Sequence, residues 1–263
     1  MPMAVKSDIP QAMGKIIVFA NQKGGVGKTT TAVNLGAYLA EAGKNVLLVD
    51  FDPQSNTSSS VGANKDVPGI YDVIMGKVPA EQAIQKCTVA NLSIIASSID
   101  LTGATVELVD QEKREFFLKR SLLPLARKFD YIFIDCPPSL GLLTLNGLVA
   151  ADSVIIPLQC EYFALEGLSL LLKTVSRVQK GLNTELKIGG ILFTMYDSRT
   201  RLAHDVVQEV TGYFKEKVFR TIIPRNVRLS EAPSFAKPIS QYDPECIGAR
   251  SYQKLAEEVL LSV

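Results

Sequence analysis

At 263 residues with a formal net charge of +1, the chain is long enough for one sizeable α/β domain, and its charge balance excludes a strongly polybasic protein. Hydrophobic residues make up 47% and charged residues 21%, as in ordinary globular domains, and no apolar run approaches the roughly 20 residues that span a bilayer. The four scattered cysteines (Cys87, Cys136, Cys160, Cys246) form no C-x-x-C pair and there is one histidine, which argues against a zinc site and for a reducing cytosol.

Residues 1–13 lack the apolar region of a signal peptide and are expected to form a disordered tail. The first strand is predicted over 15–20 (KIIVFA), followed by a Gly-rich turn and a helix over 28–42 that ends at Gly43. Strands follow at 45–50 and 92–96, then a helix over 105–127, a strand at 131–135 and a helix over 139–150. A strand at 153–158, a helix over 164–180, a strand at 188–194 and a helix over 201–217 come next. A shorter seventh strand is predicted at 220–224 (RTIIP) and a last helix over 246–262. These strands are nearly continuous apolar runs, as in parallel sheets buried on both faces. The alternation predicts α/β architecture: a single doubly wound, mostly parallel sheet with helices on both faces. Right-handed crossovers would then bring all the strand C-termini to one edge, where open α/β sheets bind ligands. No repeat, low-complexity tract or linker divides residues 14–263.

Between the first strand and its helix lies Asn21-Gln22-Lys23-Gly24-Gly25-Val26-Gly27-Lys28-Thr29-Thr30. The P-loop pattern G-x-x-x-x-G-K-[ST] fails at one position, because Gln22 stands where its first glycine belongs. The physics survives: Gly24, Gly25 and Gly27 let backbone N–H groups curl around phosphate oxygens, and the helix N-terminus adds its dipole. Lys28 would reach the β and γ phosphates of ATP, and the Thr29 hydroxyl would ligate Mg²⁺. Residues 23–30, from Lys23 through Val26 to Thr30, are the predicted phosphate-binding segment. The second strand ends in Asp50-Phe51-Asp52-Pro53, which sends two carboxylates toward the same crevice or caps the turn. The strand YIFID supplies Asp135, a Walker B carboxylate expected to reach Mg²⁺ through water. Lys23 is the unexplained residue, either a solvated loop lysine or a functional one.

The run KGGVGKT is the deviant Walker A motif, and with it the chain resembles the ParA, Soj and MinD ATPases. The likeness to Soj-type proteins extends from Gly14 to near residue 260 and includes VIIPLQCEYFALEGL and IPRNVRLSEAPSFAKPI. It implies that Lys23 crosses a homodimer interface to the partner's nucleotide phosphates, with Lys23 and Lys28 both serving catalysis. Asp52 matches the family's catalytic aspartate, which positions or activates water, and Asp50 is expected to support the Mg²⁺ shell or the loop. Pro137-Pro138 resembles the family's switch II. By the same resemblance, Met195, Pro224 and Asn226 flank the adenine, although Pro224 and Asn226 also suit turns.

From Arg199 to Lys237 eight Lys/Arg face four Asp/Glu, a modest excess that by itself reads as a solvated face. The resemblance makes it a surface for non-specific DNA, with Arg199 first and Arg228 and Lys237 next, contacting the backbone without base readout. Residues 1–13 are too few for the helix-turn-helix domain of longer plasmid relatives. The resemblance also implies an ATP-bound sandwich dimer, a ParB/Spo0J-type centromere-binding partner that stimulates hydrolysis, and a cytoplasmic, nucleoid-associated protein. The alternatives are a MinD-like membrane-surface ATPase, an iron–sulfur electron carrier and a metabolic ligase. The first needs a basic amphipathic C-terminal helix, and SYQKLAEEVLLSV offers only Lys254. The second needs two suitably placed cysteines. His204 is read as a packing or surface residue.

Overall fold

The computed structural model describes residues 13–261. In chain order these form β1 (Lys15–Phe19), α1 (Lys28–Glu41), β2 (Val46–Asp50), α2 (Asn56–Ser60), α3 (Ile70–Ile74), β3 (Ile84–Lys86), β4 (Leu92–Ile95), α4 (Leu101–Glu107) and α5 (Phe117–Leu122). They continue with β5 (Tyr131–Asp135), α6 (Leu142–Ala150), β6 (Ser153–Gln159), α7 (Ala164–Gly181), β7 (Lys187–Thr194), α8 (Arg201–Phe214), α9 (Val227–Glu231), α10 (Ile239–Tyr242) and α11 (Ile247–Leu261). The strands make one sheet in the order β3-β4-β2-β5-β1-β6-β7, parallel except for β3. The predicted doubly wound sheet is therefore the observed one.

Strand alternation explains the two layers. Ile16 and Val18 of β1 join Leu47, Val49, Ile132 and Ile134 in one core, which α5 to α8 cover through Leu118, Leu148, Leu171 and Val206. Ile17 and Phe19 point the other way with Leu48 and Phe133, under Leu35 of α1 and Tyr252 and Leu255 of α11. Because β5 inserts between β1 and β2, Asp135 lies in register with Phe19 on one side and Asp50 on the other. The loop after β1 and the two carboxylate-bearing strand ends thus share one edge.

Three expectations are corrected. The segment 220–224 is not a seventh strand, because the Glu258 carboxylate of α11 accepts the N–H groups of Arg220 and Thr221 at 2.7 and 3.0 Å. What remains of strand pairing there is isolated bridging at Val218 and Pro224. The seventh strand is β3, antiparallel at the opposite edge. The single helix expected over 105–127 is broken: α4 ends at Glu107, Lys113 adopts a left-handed φ of 55°, and α5 lies between short 3₁₀ turns. Likewise α8 stops at Phe214, before a left-handed Lys215 with φ 45°. Of the tail expected over 1–13, only Met13 falls within the described residues, where it is exposed. Among the described residues no helix is long and apolar enough to cross a membrane.

Gly190 in β7 reports on this packing. A β-carbon there would lie 2.7 Å from Cζ of Phe219 and meet two further atoms of the same ring. Gly190→Ala is expected to destabilise the fold by roughly 1–3 kcal/mol through overpacking. A urea titration that returns the parent's midpoint would contradict this.

Candidate functional site

The loop after β1 is held from both ends. Asn21 donates through Nδ2 to the Pro157 carbonyl at 2.7 Å and accepts the Lys23 N–H at 3.0 Å, tying the loop's start to β6. Val26 is buried, and its carbonyl accepts Thr194 Oγ1 at 2.8 Å, tying the middle to the end of β7. Gly25 and Gly27 carry φ of 71° and 85°, values that strain any residue with a β-carbon. Gly27 caps α1 with no side chain in the cap, which leaves the first-turn amides available to an anion.

Lys28 folds back over the loop and donates to the Lys23 carbonyl at 3.3 Å, with only 6% of the residue exposed. Burial pushes its pKa below the ordinary lysine value, opposed chiefly by the nearby Asp135. Asp135 is buried behind the loop. Its Oδ2 accepts Thr29 Oγ1 at 2.6 Å and Thr57 Oγ1 at 2.7 Å, while its Oδ1 is buried without a partner. Loss of hydration raises this carboxyl to about 6.

Asp50 behaves differently from expectation. Both its oxygens are taken by the segment that follows β2: Oδ2 accepts Ser58 N–H at 2.7 Å and Ser58 Oγ at 2.6 Å, and Oδ1 accepts the Asp52 N–H at 3.3 Å. Fully buried and beside Asp135, it is raised to about 7. It anchors the 52–58 turn. Asp52 accepts the Gln54 N–H on Oδ1 at 2.9 Å and lines a cleft of about 600 Å³ over the Gly-rich loop.

The far wall of that cleft comes from two segments stitched together. Tyr196 N–H donates to the Ile223 carbonyl and Arg225 N–H to the Tyr196 carbonyl, each at 3.1 Å. Met195, with a left-handed φ of 47°, Pro224 and Asn226 line this wall, and Asn226 Oδ1 is buried without a partner. Gly24, Gly25, Gly27, Lys28, Thr29 and Thr30 form the opposite wall. A larger hollow of about 850 Å³ between α8 and α11 lies away from the Gly-rich loop, and its lining includes neither that loop nor Asp52 or Asp135.

Lys23 does not join the cleft. Its ammonium pairs with Glu161 of its own chain. Arg199, Arg228 and Lys237 do not line the cleft, although Arg225 does. Arg199 is 86% exposed at its side chain and forked onto Asp197 at 2.8 and 2.6 Å, which holds the Asp197 carboxyl well below the usual range. Arg228 pairs with Glu231 at 2.9 Å and Asp243 at 3.2 Å, and Lys237 is exposed. His204 faces Tyr196 OH at 3.1 Å and the Ser198 carbonyl at 3.0 Å, a local strut for the loop before α8. Cys136 is buried and its thiol pKa is pushed well up by burial. Sequence reasoning missed Asn21, Thr57 and Glu161. The hydroxyl-rich run Ser55–Ser60 beside Asp52 was the one local signal for Thr57.

Residues 14–188 match the AAA domain family. The chain is 64% identical over 248 residues to the chromosome-partitioning ATPase Soj of Treponema pallidum, covering 94% of this chain and 98% of the relative. It is 58% identical over 249 residues to the sporulation initiation inhibitor protein Soj of Bacillus subtilis, covering 94% and 98%. Among solved structures, cobyrinic acid a,c-diamide synthase from Mycobacterium smegmatis with bound ADP and magnesium superposes with a TM-score of 0.83 at 40% identity, covering 94% of each chain.

Proposed function

The chain belongs to the ParA/Soj family of chromosome-partitioning ATPases, and on that premise we propose that it is an ATP-gated dimer that holds DNA non-specifically and releases it on hydrolysis. The observation that carries the reading is the convergence, in one cleft, of the Lys28 loop, the Thr29–Asp135 pair and Asp52. Backbone amides of residues 24–30 and the Lys28 ammonium receive the phosphates of ATP. Met195, Pro224 and Asn226 receive the base.

The donor set fits magnesium. Asp135 Oδ1 is a buried acceptor without a partner, Thr29 offers a hydroxyl beside it, and both are hard oxygen ligands. Thr29 and Asp135, the latter through water, would hold Mg²⁺, which when bound draws charge from the β and γ phosphates. Asp52 orients the attacking water. Lys23 crosses to the partner's phosphates, so that two nucleotides are enclosed between two subunits. Hydrolysis is slow until a ParB-type centromere-binding protein completes the electrostatics of the transition state.

The membrane-surface alternative loses support because Tyr252, Leu255, Ala256 and Val259, the apolar face of α11, pack in the core beneath α1. The ligase alternative loses support on identity, 64% to a partitioning ATPase against 40% to the named synthase.

DNA co-sedimentation with ATP, with ADP and without nucleotide tests the proposal. Binding restricted to ATP is expected, and binding indifferent to nucleotide refutes the gating. Arg199→Ala should weaken binding to unrelated duplexes alike and flatten the salt dependence by about one counterion per subunit. The Asp197 pair does not forbid this role, because an exposed ion pair is weak and a phosphate can take its place. Unchanged affinity and slope would move the surface to Arg228 and Lys237.

A further inference from the structure

The loops after β1 and β6 are neighbours because those strands pair in register, Phe19 beside Ile155. Across them Lys23 Nζ donates to Glu161 Oε2, while Glu161 Oε1 accepts from Gln159 Nε2. Gln159 closes β6, so the carboxylate is aimed from the sheet and both its oxygens are engaged. The Lys23 backbone is held twice, its N–H by Asn21 at 3.0 Å and its carbonyl by the Lys28 ammonium at 3.3 Å. The Lys23 side chain can therefore be redirected with no movement of the loop. The pair is also open to solvent, with side-chain exposures of 41% and 46%. Immediately after Glu161, Tyr162 and Phe163 are 77% and 64% exposed, packed edge to face at 5.1 Å. Large aromatic side chains exposed together mark a surface that is covered in an assembly.

We propose that Glu161, oriented by Gln159, is the resting partner of Lys23: it retains the ammonium on its own subunit, and a second copy of this chain must break that pair, once per subunit, as it docks over Tyr162 and Phe163. Glu161 is thus a positioning residue that opposes dimerisation. The inference rests on reading Lys23 as the residue that crosses to the partner's phosphates. Dimerisation then exchanges one carboxylate partner for the phosphate chain, and ATP, more highly charged than ADP, favours that exchange. An exposed ion pair of this kind shifts an equilibrium by about 2–5-fold. A two-fold symmetric dimer breaks two copies, so removing the carboxylate should tighten the dimer by about 4–25-fold.

The test is sedimentation equilibrium with MgATP in the Asp52→Ala background, comparing the parent, Glu161→Gln and Lys23→Ala. Glutamine keeps the size of the side chain and its contact with Gln159, and a thermal melt checks the fold. The expected result is a lower dimer Kd for Glu161→Gln with ATP and no dimer with ADP. An unchanged Kd overturns the proposal. So does a raised one, which would make Glu161 a support of the interface. A loss of fold in the melt moves the measurement to Gln159→Ala, which should tighten the dimer in the same direction or overturn the proposal. The Lys23→Ala arm separates the premises: a normal ATP dimer there removes the crossing role and the latch together. No dimer there with an unchanged Kd for Glu161→Gln removes the latch alone.

Discussion

Lys28→Ala is expected to abolish nucleotide binding, lowering ATP affinity by roughly 10²–10³-fold or more, the cost of removing one partner of a buried charge pair. Among the described residues of the same subunit no other lysine lines the cleft, and Lys23 is drawn onto Glu161. Lys28 also answers a local imbalance. Asp50, Asp52 and Asp135 cluster at two adjacent strand ends, and the nearby Lys28 charge helps hold Asp135 toward its ionised form. Without it the Asp135 carboxyl should be pushed further up, because the Lys28 charge opposes the effect of burial. Because the lost ammonium faces the phosphate chain common to both nucleotides, the variant should fail with ADP as well as ATP, and raising Mg²⁺ should not replace it. Isothermal titration with both nucleotides checks this, and an affinity within a few-fold of the parent sinks the assignment.

Asp52→Ala should leave ATP binding near the parent and slow hydrolysis by about 10²–10⁴-fold, the range for removing a positioned acid–base group. The geometry gives the asymmetry. One carboxylate oxygen is fixed by the Gln54 N–H at 2.9 Å, so the side chain is set by its own turn and lines the cleft from the strand end, opposite the Gly-rich loop. Asp50 carries the fold of that turn through Ser58, so truncating Asp52 should not unravel it. The protein should then accumulate as an ATP-bound dimer. Steady-state phosphate release and size-exclusion chromatography with MgATP read the two halves separately. Parent-level turnover, or a monomer that binds ATP and stays monomeric, would reject the role.

Sequence alone determined whatever depends on neighbours along the chain. Continuous apolar runs specified six of the seven strands, since a strand buried on both faces has no other pattern available. The glycines of 24–27 specified a loop of left-handed backbone, and the place of Asp50, Asp52 and Asp135 at the ends of such runs put them on one edge. Tertiary structure decided whatever depends on residues far apart in the chain. The run 220–224 has the composition of a strand, yet the Glu258 carboxylate, nearly forty residues on, takes the N–H groups a strand would share. Asp50 and Asp135 are alike in sequence, but one is filled by Ser58 and the other keeps a free buried oxygen behind Thr29 and Thr57. Lys23 was legible as an unusual lysine, and the carboxylate that holds it was not, because pairing of β1 with β6 brings Glu161 across 138 positions of sequence. Local pattern fixes which backbone a residue sits on; the partner of a charged side chain is chosen by strand order, which no local pattern contains.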